Sequence, residues 1–154
     1  MRALRKARIS SLMTAIVLTA ACGGVDSPTD PGVGGGGGGG GGAARVIKAN
    51  PAFGADVQEI FDRIGCSTSG CHGTSQRAGL DLRSGSAYSN LVNVQAMSES
   101  VLRVIPGDAN GSYIVIKLEG RQTVGGRMPL NGTALDNIDL TNIKNWINNG
   151  APNN

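Results

Sequence analysis

The sequence predicts an all-α domain, because two amphipathic segments are separated by stretches rich in helix breakers. In the first segment, 56–64, the apolar residues lie at i, i+3, i+4 and i+7, the spacing of one helix face: Val57, Ile60, Phe61 and Ile64. In the second, 137–149, the apolar stripe consists of Leu140, Ile143, Trp146 and Ile147. Glycine and proline interrupt the chain between them at 106–111 and 124–132, which are predicted loops.

Capping residues predict where these two helices begin and end. Asp56 and Glu59 have the spacing of a capping box at the start of the first helix, and Gly65 suits its C-terminal stop. Asp136 is the predicted N-cap of the last helix, and Gly150 ends it.

Two shorter helices are predicted between them. One begins near Ser86. The other spans 113–119, with Ser112 as its cap and Gly120 as its stop. The run Ile114–Ile116 is β-branched and favours a strand by intrinsic propensity. The local sequence alone therefore does not establish the helix over 113–119, and the family resemblance given below supports it.

The first 21 residues have the pattern of a secretory signal peptide. Four basic residues precede an apolar run, 12–20, that is too short to span a membrane as a mature helix. Small residues then precede Cys22, and together they resemble a bacterial lipobox. This pattern predicts cleavage before Cys22 and lipidation of its thiol. Thr19 occupies the position where that box usually has leucine. The alternative is an ordinary signal with an incidental cysteine. The expected location is lipid-anchored and periplasm-facing, and Gly23, in place of an aspartate, favours the outer membrane.

Residues 22–44 are predicted to form a disordered, lipid-anchored linker. Nine consecutive glycines, Gly34–Gly42, lose much backbone entropy on ordering and offer no side chain to bury. A flexible chain of this length has an r.m.s. reach of about 25–30 Å. The domain that follows is expected to cover 45–154.

The charge of the mature chain gives no support for a nucleic-acid partner, and none is expected. The signal holds four of the 14 Lys and Arg residues and none of the 11 Asp and Glu residues, which leaves a net charge of −1. The basic pI of about 9.0 is therefore a property of the export signal.

The candidate functional residues are Cys66, Cys71 and His72. Two cysteines followed at once by a histidine are typical of covalent haem attachment, in which two thioethers hold the porphyrin edge and the imidazole ligates the iron. The usual spacing puts two residues between the cysteines, and here there are four, Ser67–Gly70. All four are small or flexible, so the extra residues are expected to bulge outward.

Two alternatives to haem remain open. An exported protein is in an oxidising compartment, so Cys66 and Cys71 could form a disulfide. That bond would close a very short loop, where the entropic gain is smallest, and it gives no role to His72, the only histidine. Zinc is the other alternative, but two cysteines and one histidine leave a structural site one ligand short.

A second axial ligand would have to come from a methionine. The mature chain has two, Met97 and Met128. Met97 lies in a polar stretch with nothing to make it rigid. Met128 follows two glycines by one residue and precedes Pro129, so its loop could approach a cofactor closely while the proline fixes its shape. Met128 is therefore the preferred candidate, although methionine is more often core filler.

Several short motifs occur in an order that resembles a known family. Together they are similar to the small monohaem c-type cytochrome domains called planctomycete-type or cytochrome c-like, over about 57–152. The matching segments are Phe61–Gly65, the Cys66/Cys71/His72 motif with Gly73, Gly79–Leu82, Ile105–Asp108, Ser112–Tyr113, Lys117–Leu118, Arg127–Pro129 and Trp146–Ala151.

The resemblance implies a cytochrome c-like fold in which the N- and C-terminal helices pack around a covalent haem. It implies one haem c with thioethers at Cys66 and Cys71, and with His72 and Met128 as axial ligands. Such a protein carries single electrons between redox partner proteins. Because a saturated iron binds no substrate, no turnover and no catalytic residue are expected.

Two other functional classes stay open. One is a haem enzyme or ligand sensor with a labile sixth ligand. The other is a disulfide-stapled structural lipoprotein without haem.

Overall fold

A computed structural model of the chain describes residues 44–154. In this range the regular structure is helical, without strands, as the all-α prediction requires. A π-helical turn (Phe53–Val57) leads into α1 (Gln58–Ile64), and a 3₁₀ turn (Arg77–Gly79), α2 (Ala87–Leu91), α3 (Tyr113–Glu119) and α4 (Asn137–Asn148) follow. The predicted signal peptide, Cys22 and the linker up to residue 43 lie outside the described residues. None of the described helices has the length and apolar character needed to cross a membrane.

The first helix begins three residues earlier than predicted, at Phe53. Its N-cap is Ala52, whose backbone N–H donates to the Asp56 carboxylate at 2.8 Å. Asp56 therefore supports the helix start from inside the first turn and is not the N-cap. The predicted capping box is wrong, because the Glu59 carboxylate accepts from Arg63 Nε at 2.7 Å along the helix.

The last helix begins where its cap predicts. The Asp136 side chain accepts from the backbone N–H of Asp139 at 3.0 Å, which satisfies one of the free donors of the first turn. Asn148 is the last residue of α4, one residue before the predicted end. Gly150 follows at φ +91°, in the left-handed region that glycine adopts without strain.

Helix α3 has its predicted bounds despite its β-branched sequence. It buries Val115 and Leu118, and Gly120 ends it in the left-handed conformation with φ +78°. The burial of this apolar face outweighs the strand propensity of the segment.

Ser112 lies at the N-cap of α3, but its side chain does not cap the helix. Instead its hydroxyl donates to the Asp108 carbonyl at 2.6 Å and accepts from the Ile105 N–H at 2.9 Å. The predicted capping role is therefore wrong. The fully buried hydroxyl ties together the loop that precedes α3.

An aromatic cluster joins the two ends of the domain. The Phe53 ring lies 5.1 Å from the Trp146 ring and 5.3 Å from the Tyr88 ring, measured between centroids. The polar atoms of the cluster are satisfied by the last residues of the chain. Tyr88 donates its hydroxyl to the Ala151 carbonyl at 3.0 Å, and Trp146 Nε1 donates to the Pro152 carbonyl at 2.9 Å.

A buried carboxylate connects α1 to α4. The Asp139 side chain is only 3% exposed and accepts from Arg63 Nη2 at 2.8 Å. Arg45, before the first helix, reaches the same carboxylate at 3.1 Å and Asp136 at 2.8 Å. The N- and C-terminal helices are therefore held together just before the chain enters the cysteine segment.

Asparagines of the last helix and of its C-cap bind the segment that precedes the first helix. The Asn142 amide accepts from the Lys48 N–H at 2.8 Å and donates to the Val46 carbonyl at 2.9 Å. Asn145 and Asn149 each donate to another carbonyl of that segment at 2.8 Å. Asparagine is a poor helix former, and here its side chains attach an extended segment to the surface of the domain.

Candidate functional site

Cys66 is the first residue after the C-cap of α1. Gly65 terminates the helix in the left-handed conformation, with φ +84°, as predicted. The Cys66 N–H then donates to the Phe61 carbonyl at 2.8 Å. As a result the Cys66 side chain is half-buried against the hydrophobic core.

Backbone hydrogen bonds connect the segment between the cysteines to the residues that follow it. The His72 N–H donates to the Cys66 carbonyl at 3.0 Å, and the Gly73 N–H donates to the Thr68 carbonyl at 2.9 Å. Cys71 also donates its N–H to Thr68, at 3.0 Å. Residues 68–70 are exposed, as expected for an outward bulge. The longer spacing thus forms a compact, hydrogen-bonded loop.

Gly73 is a loop residue whose importance sequence reasoning missed. It is buried, and a Cβ atom added to it would lie 2.6 Å from the Thr68 carbonyl oxygen and closer still to that of Ser67. Both neighbours are backbone atoms, which cannot rotate away. Only glycine therefore allows this close approach. The sequence feature that could have indicated this role is a glycine immediately after His72.

Both cysteines are free thiols, so the structure contains no Cys66–Cys71 disulfide. Their surroundings differ. Burial raises the pKa of the Cys66 thiol to about 11, whereas the Cys71 side chain is exposed. At neutral pH the Cys66 sulfur therefore carries its proton.

His72 is oriented by the backbone around it. Its Nδ1 lies 2.9 Å from the Arg77 carbonyl oxygen, which only accepts hydrogen bonds, so Nδ1 carries the proton. Partial burial lowers the pKa of the imidazole, and the carbonyls of Arg77 and Leu80 partly offset this. The His72 carbonyl accepts from the Leu82 N–H at 2.7 Å. The neutral ring therefore has a lone pair on Nε2, the form that ligates a metal.

Met128 lies on a separate segment that packs against the same core as Cys66. Its N–H donates to the Lys117 carbonyl at 2.9 Å, which attaches the segment to α3. The peptide bond to Pro129 is cis. Met97, by contrast, is 73% exposed. Of the two methionines, only Met128 is attached to the core.

Residues next to Cys66 and Met128 contribute to one cleft, although neither Cys66 nor Met128 itself lines it. Ile64, two residues before Cys66, and Pro129, the residue after Met128, line a cleft of about 470 Å³. Around the core a set of apolar side chains is only partly buried. These side chains are Ile64, Leu80, Val92, Ile114, Leu135 and Leu140.

Cys66, Cys71 and His72 are the residues that could hold a covalent haem. Two free thiols and an imidazole with its Nε2 lone pair lie on one loop, and of these three residues Cys66 packs against the core. Over 44–154, no three His, Cys, Asp or Glu side chains come together as a metal site.

Comparisons with models of protein families, with curated proteins and with solved structures find no match for this chain. The cytochrome resemblance therefore remains a prediction from the sequence, and the chain's own residues carry the function proposed for it.

Proposed function

We propose that the chain is a lipid-anchored monohaem c-type cytochrome that carries single electrons between redox partner proteins at a bacterial membrane. One observation carries the proposal. Cys66, Cys71 and His72 share one hydrogen-bonded loop, in which the Nδ1 hydrogen bond puts the lone pair of the neutral His72 ring on Nε2. Free thiols beside an oriented imidazole are the groups that covalent haem attachment requires.

The protein residues would hold and tune the cofactor. A bound haem supplies an iron that changes oxidation state by one electron. Cys66 and Cys71 would hold its edge as thioethers, and His72 would ligate the iron through Nε2. The hydrogen bond from Nδ1 to the Arg77 carbonyl fixes the ring and raises its basicity. Met128 would be the second axial ligand, and its soft thioether would favour reduced iron.

The N-terminal region would keep this carrier near its partners. A lipid at Cys22 would anchor the chain on the periplasmic side, with the outer membrane preferred. The glycine-rich linker 22–44 would let the domain turn between donor and acceptor, and its length would set their effective concentration.

Haem retention on a denaturing gel tests the covalent link. The chain should be produced in a bacterial host with full cytochrome c maturation machinery. We expect the wild-type band to stain for haem and the Cys66→Ala/Cys71→Ala double variant to lose the stain. Cys22→Ala is the matched control, because it should keep haem while losing membrane association. A colourless wild-type protein from that host would contradict the proposal and favour a structural lipoprotein without haem.

Paired methionine variants test the second ligand. Met128→Ala should change the axial-ligand signature in the visible spectrum, whereas the exposed Met97→Ala should not. An unchanged spectrum in Met128→Ala would exclude Met128 as a ligand. A haem enzyme or ligand sensor, with a labile sixth position, would then become the better description.

A further inference from the structure

Arg103 is a buried arginine that binds the turn following His72. It is 7% exposed and interrupts the otherwise apolar run 101–105. Its Nη2 donates to the carbonyls of Ala78 and Gly79, both at 3.1 Å, and its Nη1 donates to the Asn90 carbonyl at 2.8 Å. In the part of the chain that the structure covers, no carboxylate forms an ion pair with it.

The turn that Arg103 holds has an unfavourable backbone conformation. Gln76, Ala78 and Gly79 have φ values of +42°, +57° and +63°. For residues with a Cβ atom this left-handed region costs energy, so contacts from outside the turn must stabilise it. The Arg77 carbonyl, which accepts from His72 Nδ1, lies inside this turn.

Burial of Arg103 is costly in itself. A guanidinium removed from water loses hydration, and burial lowers the pKa of Arg103. Three neutral carbonyls compensate less than a carboxylate would. An apolar side chain would fill this position more cheaply if packing were the only requirement. The guanidinium therefore has a specific task in holding the carbonyls it touches.

We propose that Arg103 is the positioning residue for His72. By holding the Ala78 and Gly79 carbonyls, it fixes the turn that presents the Arg77 carbonyl to Nδ1. It thereby keeps the imidazole in the tautomer whose Nε2 lone pair is free. The inference rests on the proposed function insofar as His72 is an iron ligand, but the arrangement itself is independent of haem.

The test follows the Nδ1 proton of His72 by ¹⁵N NMR in the full chain. His72 is the only histidine, so its ring signals need no assignment. With haem, the solvent-exchange rate of the Nδ1 proton reports its hydrogen bond. Without haem, at about pH 8, where an ordinary histidine is neutral, the tautomer ratio reports the same bond. If haem does not attach, the proposed function fails and the positioning role is still measured.

Arg103→Lys is the main variant, because it keeps the charge and the stem but loses the fork that reaches several carbonyls. We expect roughly fivefold faster exchange, or a fivefold shift of the tautomer ratio toward Nε2–H, as for the loss of one net hydrogen bond. Arg103→Met should show at least the same change. Arg121→Lys is the matched control, because Arg121 is exposed and also donates to a carbonyl, that of Asn110; it should leave the signal unchanged.

Three results would overturn the proposal. The first is a wild-type haem-free chain with its proton on Nε2. The second is an unchanged Nδ1 signal in folded Arg103→Lys. The third is equal acceleration of exchange at the Leu82 amide and throughout the core, because Arg103 would then only stabilise the whole domain.

Discussion

Replacing Gly73 with alanine should destabilise the domain, while the same change at Gly70 should not. The two glycines lie in one loop, three residues apart. A Cβ at Gly73 would lie 2.6 Å from the Thr68 carbonyl oxygen and 2.7 Å from its carbonyl carbon, whereas a Cβ at Gly70 would meet nothing within 4 Å. Overpacking against atoms that cannot move away costs about 2 kcal/mol. In a domain of this size that lowers Tm by about 8 °C.

Thermal unfolding followed by circular dichroism measures this difference. Both variants should be compared with wild type at the same haem content, because a bound cofactor stabilises the folded state by mass action. We expect the Tm of Gly70→Ala to stay within about 2 °C of wild type. Equal Tm values for Gly73→Ala and Gly70→Ala would refute the reasoning, since the close approach at Gly73 would then contribute nothing.

Three further predictions concern reactivity, pH and the N-terminal segment. In haem-free protein, an alkylating reagent should modify the exposed Cys71 before Cys66, whose pKa burial raises to about 11; faster labelling of Cys66 would contradict this. Hydrogen bonds from Arg83 lower the pKa of Asp81 to about 2, so its stabilisation is complete above pH 3.8 and disappears as the pH falls toward 2. The Tm gap between wild type and Asp81→Asn should therefore close over that interval, and a constant gap would disprove the linkage. Asn142→Ala loses two hydrogen bonds at a buried site and should cost about 2 kcal/mol in urea unfolding, whereas a cost near zero would mean that the segment before the first helix is not held.

The sequence predicted elements whose ends carry a local signal. Gly65 and Gly120 adopt the left-handed conformation that ends a helix, and Asp136 caps α4 as expected. These outcomes depend on neighbouring residues only. The start at Phe53 was missed, because Asp56 supports the helix from inside its first turn.

Long-range contacts could not be predicted from local patterns. Arg103 reaches carbonyls 24 and 25 residues away, and Asn142 binds a segment more than 90 residues away. No periodicity or capping pattern encodes such partners. Within the candidate site, Cys66, Cys71 and His72 lie on one loop because they are close together in the sequence. The Arg77 carbonyl, which orients His72, could be identified only from the structure of the turn at 77–79.

The mass of one tryptic peptide tests the central claim most directly. Trypsin cleaves after Arg63 and Arg77 and releases residues 64–77, which contain Cys66, Cys71 and His72. For protein made with cytochrome c maturation machinery, we predict this peptide with one haem attached and no thiol left to alkylate. The same peptide without haem, either with two free thiols or with an internal disulfide, would contradict the cytochrome account.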